Sequence, residues 1–191
     1  MTVLATAGHV DHGKSTLVNF LTNQETDRLE EEKSRGLTIN LGYTYFEYKK
    51  RAISIVDVPG HQDYFKNTIA GFSNVNGVLF CIDSIQGWSK QSEEHFRSIV
   101  SLGIRDIFVI FTKTDLLVSN LEKEPVVKKF SDVKDLNFKI TEFSSKTSNK
   151  EVLHKEINDF FKDNESYKEG TIWVDRTFSI EGIGTVVTGT A

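Results

Sequence analysis

The residues with the clearest chemical purpose are Gly8-His9-Val10-Asp11-His12-Gly13-Lys14-Ser15, which fit the spacing G-x-x-x-x-G-K-[ST]. Such a run cradles phosphate. Glycines let the backbone turn tightly, its N–H groups converge on phosphate oxygens, and a helix beginning at the lysine adds its positive dipole end. Lys14 is expected to neutralise the β- and γ-phosphates of a nucleotide, and Ser15 to offer a hard hydroxyl oxygen to Mg²⁺. The pattern demands a strand before it and a helix after it, and Val3 to Ala7 and Lys14 to Leu21 supply both. His9, Asp11 and His12 are also metal-ligand types, but the phosphate loop accounts for them better.

Asp57-Val58-Pro59-Gly60-His61 follows another strand-like run. An aspartate there can hold Mg²⁺ through water while Gly60 offers its N–H to the γ-phosphate. Thr38, in Arg35-Gly36-Leu37-Thr38-Ile39, can add its hydroxyl to the metal shell while the γ-phosphate is present and let go once it leaves, which makes a two-state element. Phe111-Thr112-Lys113-Thr114-Asp115 ends a further strand. Asp115 can accept hydrogen bonds from guanine N1–H and N2–H₂, which adenine does not present in that arrangement. Lys113 would lay its aliphatic stem on the purine face, and Ser144-Ser145-Lys146 would bring hydroxyl and backbone groups to the ring edge. Together these runs imply GTP and GDP as ligands.

Six strands must carry these loops: Val3 to Ala7, Tyr43 to Tyr48, Ala52 to Val58, Gly77 to Asp83, Ile107 to Thr112 and Phe138 to Phe143. Their alternation with helical stretches predicts an α/β domain. Helices are expected at Lys14 to Leu21, around Tyr64 to Ala70, at Lys90 to Leu102, around Leu121 to Phe130, and at Lys150 to Phe161. The last puts Val152, Leu153, Ile157 and Phe160 on one apolar face. Only Lys49-Lys50-Arg51 separates the second and third strands, too few residues for a parallel crossover, so that pair is antiparallel and the sheet mixed. The polar stretch between Asn23 and Gly36 reads as a solvated loop or helix surface. After a polar connector ending at Gly170, Trp173 to Ile180 and Thr185 to Thr188 read as a hairpin. One hairpin is too small to be stable alone, so the natural protein is expected to continue.

The chain has 191 residues, 38% hydrophobic and 26% charged, enough for one domain with a full core. A net charge of −4 gives no general attraction to nucleic acid. The single Cys81 lies in an apolar run; it has no disulfide partner in the chain and reads as a small buried hydrophobe suited to a reducing cytoplasm. No run approaches membrane-spanning length. Trp88 is assigned no role.

At this point the chain resembles the translational GTPases, the family of elongation factor Tu, and within it most closely the selenocysteine-specific elongation factors. The phosphate loop through Thr16 and Asp57-Val58-Pro59-Gly60-His61 are shared with the broad family. The narrower likeness rests on Asp27-Arg28-Leu29, Glu31 to Tyr43, Gln86-Gly87-Trp88, Asp175 to Ile180, and Gly182 to Thr190. The resemblance implies a P-loop NTPase of the Ras-like G-domain type, with a mixed, mostly parallel six-stranded sheet flanked by helices over residues 1–170. The first hairpin of a β-barrel domain would follow over 171–191.

It also implies that His61 orients the attacking water with Asp11 nearby, and that Val10 and Leu37 form an apolar gate holding His61 away until activation. The implied partners are the ribosome and an aminoacyl-tRNA, selenocysteinyl-tRNA on the narrower likeness, for a monomeric cytoplasmic protein. Two residues depart from pattern. Asn40 stands where the selenocysteine factors carry Asp. Thr112 stands where the wider superfamily carries Asn, and is expected to lose an interaction between base and phosphate loop at about 1–3 kcal/mol. Another tRNA carrier, an initiation-type factor and a non-hydrolysing GTP sensor remain open. A P-loop ATPase or kinase is disfavoured by Lys113, Asp115 and the Asp57 segment.

Overall fold

The computed structural model describes residues 2–26, 37–118, 121–162, 173–180 and 184–190. Six strands form one sheet: β1 (Thr2–Ala7), β2 (Gly42–Tyr48), β3 (Arg51–Asp57), β4 (Gly77–Asp83), β5 (Asp106–Thr112) and β6 (Asn137–Glu142). Their order is β2-β3-β1-β4-β5-β6. Only β2 runs antiparallel, paired with β3 from Gly42↔Asp57 to Tyr48↔Arg51, as the short link between them requires.

Among the described residues, five helices cover the sheet: α1 (Lys14–Thr22), α2 (Phe65–Phe72), α3 (Lys90–Ser101), α4 (Glu124–Ser131) and α5 (Lys150–Phe160). Three of the expected segments differ in detail. The helix expected around Tyr64 opens with a 3₁₀ turn at Gln62–Tyr64. The one expected from Leu121 starts at Glu124, where Pro125 suits the first turn because its missing N–H has no intrahelical acceptor there. Val152 is a correction: it is 55% exposed, and the buried stripe of α5 is Leu153, His154 and Ile157. His154 takes the inward position because its ring stacks on Phe46 at 4.2 Å and its Nε2 bonds Leu21 O at 2.9 Å.

β4 shows how the sheet is held. Val78, Phe80 and Ile82 enter one buried cluster, with Phe72, Phe96 and Phe130 from α2, α3 and α4. Leu79 and Cys81 enter the other, with Leu17, Val18 and Leu21 of α1 and Leu153 and Ile157 of α5. A strand covered on both faces reads as an unbroken apolar run, and each large side chain so buried contributes about 1.5–3 kcal/mol. Cys81 is fully buried, which pushes its thiol up to about 12. Trp88 covers the first cluster, stacked on Phe80 at 5.5 Å, with its Nε1–H donating to Glu93.

A second, two-stranded sheet is formed by β7 (Trp173–Ile180) and β8 (Gly184–Thr190). The expected turn at 181–183, the connector at 163–172 and the polar stretch at 27–36 lie outside the described residues.

Candidate functional site

Four of the chemically marked runs hang from the carboxyl ends of strands, and the Thr38 run reaches the same edge by leading into β2, whose first residue Gly42 pairs with Asp57. β1 leads into Gly8, β3 ends at Asp57, β5 ends at Thr112, and β6 leads through Phe143 to Ser144. β1 lies between β3 and β4, where successive connections depart in opposite directions, the position at which open α/β sheets bind ligands.

The phosphate loop is built from tight approaches. Gly8 has φ +127°, and a Cβ there would lie 2.2 Å from Cys81 O. Gly13 has φ 77° and caps α1. Lys14 Nζ donates to His9 O at 2.8 Å. α3 holds the loop from behind: Gln91 Oε1 meets His9 Nδ1 and accepts from Val10 N–H at 3.3 Å. His95 Nδ1 accepts from Gly8 N–H at 3.1 Å. Burial, then the nearby charge of Lys14, pushes the His95 imidazole down to about 3. Burial and His9 push His12 down to about 4. Gln91 and His95 carried no motif, but their four-residue spacing puts them on one face of the predicted helix, and His95 shares the buried stripe with Ser92, Phe96 and Ile99.

A cavity of about 1050 Å³ is lined by Val10, Asp11, Gly13, Lys14, Ser15, Thr16, Leu37, Thr38, Gly60, Lys113 and Ser145 among the expected residues, and by Asn19, Phe20, Glu25 and Thr26 besides. The Ser15 Oγ and Thr38 Oγ1 atoms lie 2.9 Å apart. Neighbouring oxygens on an octahedral Mg²⁺ with bonds of about 2.1 Å are separated by about 3 Å, so this pair fits the ion. Asp57 is fully buried. Its Oδ1 accepts from Thr6 Oγ1 at 2.8 Å and its Oδ2 from Thr26 Oγ1 at 2.7 Å. Thr26 bore no sequence signal.

His61 does not line the cavity. Its Nδ1 accepts from Asp63 N–H at 3.2 Å and its side chain is 42% exposed. Gly60 is pressed against the phosphate loop, where a Cβ would lie 2.3 Å from Lys14 Nζ and 2.7 Å from Val10 N.

On the opposite side Lys113, at φ 57°, pairs with Asp83 at 2.7 Å, and Lys146 with Asp115 at 3.2 Å. The Ser144 hydroxyl and the Lys146 side chain hold the Asp115 carboxyl below its usual range, against the effect of desolvation. Thr112 keeps a tie to the phosphate loop that its departure from Asn put in question. Its buried hydroxyl donates to His12 O at 2.9 Å and lies 3.3 Å from Ile82 O, so the link to the phosphate loop is kept. Gly8, His9 and His12 belong to the loop but not to the cavity wall, and Thr112, Asp115, Ser144 and Lys146 are not on that wall either.

A glycine-bent loop between a strand and a helix, with a lysine and paired hydroxyls facing one cavity, defines a P-loop nucleotide-binding domain. The profile of the elongation factor Tu GTP binding domain matches residues 1–162, and the chain belongs to that family of translational GTPases. It is 34% identical to the selenocysteine-specific elongation factor of Haemophilus influenzae over 99% of this chain and 31% of that protein. A crystal structure of a bacterial selenocysteine-specific elongation factor, EF-Sec, superposes with a TM-score of 0.83 at 35% identity, covering 99% of this chain and 34% of that one. Translation elongation factor SelB from Methanococcus maripaludis, solved with the GTP analogue GppNHp, has a TM-score of 0.69 at 26% identity, over 99% of this chain and 41% of that one. The chain thus spans about a third of the length of the curated relatives it matches. No helix among the described residues is long and apolar enough to cross a membrane.

Proposed function

We propose that this chain is the GTP-binding and GTP-hydrolysing switch of a cytoplasmic selenocysteine-specific elongation factor, which delivers selenocysteinyl-tRNA to the ribosome. Residues 1–170 form the G domain and 171–191 open a β-barrel domain. The observation that supports the narrower reading is extent: the likeness to selenocysteine-specific factors covers 99% of this chain, whereas that to an elongation factor 1-alpha covers 69%.

In this reading the N–H groups of Gly8 to Thr16 and the Lys14 ammonium bind the phosphates. Ser15 and Thr38 would hold Mg²⁺ directly and Asp57 would hold it through water, and the ion would supply positive charge to the nucleotide phosphates. The Thr6 and Thr26 hydroxyls fix the Asp57 carboxylate. Gly60 N–H senses the γ-phosphate. Asp115 reads guanine, with Lys113 under the ring and Ser144, Ser145 and Lys146 at its edge. His61 orients the attacking water with Asp11 nearby, and Val10 and Leu37 stand between it and the phosphates until a partner shifts them. Catalysis is then mainly positioning, and intrinsic turnover is slow, on the order of 10⁻⁴ s⁻¹ by analogy with small GTPases.

The nucleotide half is tested by calorimetric titration of the chain with GDP, GTP and ATP in Mg²⁺. Tight guanine binding with no ATP binding supports it, and equal ATP affinity refutes the role of Asp115. The tRNA half is tested by the rate of ester hydrolysis of selenocysteinyl-tRNA and seryl-tRNA with GTP and the full-length protein. Selective protection of the selenocysteinyl ester supports it, and equal lifetimes refute it.

A further inference from the structure

Asp83 closes β4 directly beside Thr112, the last residue of β5. The next residue, Lys113, takes the left-handed conformation at φ 57° and ψ 31°, uncommon for a residue with a side chain. Its ammonium reaches Asp83 Oδ2 at 2.7 Å, where the Asp83 side chain is 2% exposed and that of Lys113 34% exposed. The other oxygen, Oδ1, accepts the N–H groups of Ile85 at 2.7 Å and Gln86 at 3.1 Å. Both carboxylate oxygens are thus committed, and the group cannot rotate. The loop is further tied to β5 by Ser84 N–H donating to Thr112 O at 3.0 Å.

A lysine whose ammonium swings freely beside a polyphosphate pocket is drawn to phosphate oxygens. Lys113 lines the same cavity as Lys14, yet its charge is already matched by a buried carboxylate, so what it presents to a ligand is its methylene stem. We infer that Asp83 is a positioning residue for guanine binding: by anchoring the Lys113 ammonium it stretches the lysine stem into a fixed apolar platform for the purine face. The inference rests on the guanine-nucleotide reading above and deepens it. Asp83 touches no ligand and works through Lys113.

Asp83→Asn keeps an oxygen for the Ile85 and Gln86 N–H groups and removes the charge that holds Lys113. It is expected to raise the Kd for GDP roughly tenfold, the value of one well-placed contact, while leaving competition by inorganic pyrophosphate unchanged. Lys113→Met, which keeps most of the stem and loses the anchor, is expected to weaken GDP binding similarly. The double variant should then cost no more than Lys113→Met alone, because the two side chains act as one unit. A Kd at the native value in Asp83→Asn, equal losses for GDP and pyrophosphate, or additive losses in the double variant would overturn the inference.

The unaltered chain gives a check that no folding defect can obscure. The Lys113 ammonium, followed by ¹⁵N NMR, should stay paired and slowly exchanging when GDP is added, and its release from Asp83 on GDP binding overturns the inference. Failure of the underlying reading shows separately, as a native chain that binds ADP as well as GDP.

Discussion

Replacing Thr112 by Val removes one hydroxyl from the junction of phosphate loop and base loop and leaves the shape of the side chain nearly intact. The hydroxyl has a single hydrogen, and its shorter bond is to His12 O at 2.9 Å, with Ile82 O at 3.3 Å. Thr112 is 1% exposed, so water does not readily replace the lost donor. A buried carbonyl left without a partner costs about 1–3 kcal/mol. At about 2–4 °C per kcal/mol for a domain of this size, the melting temperature should fall by roughly 2–12 °C. The carbonyl that loses its partner lies between Gly8 and Lys14, so GDP dissociation should quicken as well, by about fivefold or more if 1 kcal/mol of the loss falls on the bound state. Thermal unfolding and stopped-flow release of a fluorescent GDP read the two effects. Thr112→Ser keeps the hydroxyl and should stay closer to the native protein in release rate. Native melting temperature and native release rate in Thr112→Val would refute the tether.

Gly60→Ala would drive a methyl into Val10 N at 2.7 Å. Backbone cannot yield as a flexible side chain can, so the Asp57 to His61 segment must back away from the phosphate loop. Single-turnover GTP hydrolysis should drop by about 100-fold, as misplacements of about 1 Å do, with GDP affinity changed much less; native turnover would contradict the close approach. Stability should also depend on acid pH through His95 and His12. Their imidazoles are held down to about 3 and about 4 in the folded chain, against about 6.5 unfolded. The unfolded state therefore binds more protons below pH 6.5. The stabilisation is complete above that value and is lost as pH falls toward 4 and then 3, by up to about 1.4 kcal/mol per pH unit for each histidine. Urea unfolding between pH 7 and 4 measures the slope, and His95→Asn should flatten it.

Where a glycine or lysine spacing forces a backbone shape, the sequence told the structure in advance. The loop from Gly8 to Ser15 falls between β1 and α1 as the motif requires, and the three-residue link at Lys49-Lys50-Arg51 dictated the antiparallel pair. What sequence did not reveal was contact across large separations. Thr26 reaches Asp57, His95 reaches Gly8 and Asp83 reaches Lys113, and none of the three follows from local pattern, because each depends on which strands and helices lie side by side. Thr112 shows the opposite hazard. Comparison with a familiar Asn suggested a loss, while the geometry gives the Thr112 hydroxyl a bond of its own to the phosphate loop. Val152 shows that a helical apolar stripe identifies a face only to within one residue when a histidine can stack and bond inside.

Trp88 gives the molecule an optical property as well as a packing role. One of two tryptophans in the chain, it sits just beyond the loop from Asp83 to Gly87, with the Lys129 ammonium 5.2 Å from its ring centroid and Glu93 on its Nε1. Indole emission responds to nearby charge and to water. The loop that starts at the Asp83 carboxylate, the partner of Lys113, therefore ends beside a built-in reporter, and in a Trp173→Phe background a change in emission on adding GDP would follow that loop without any attached dye.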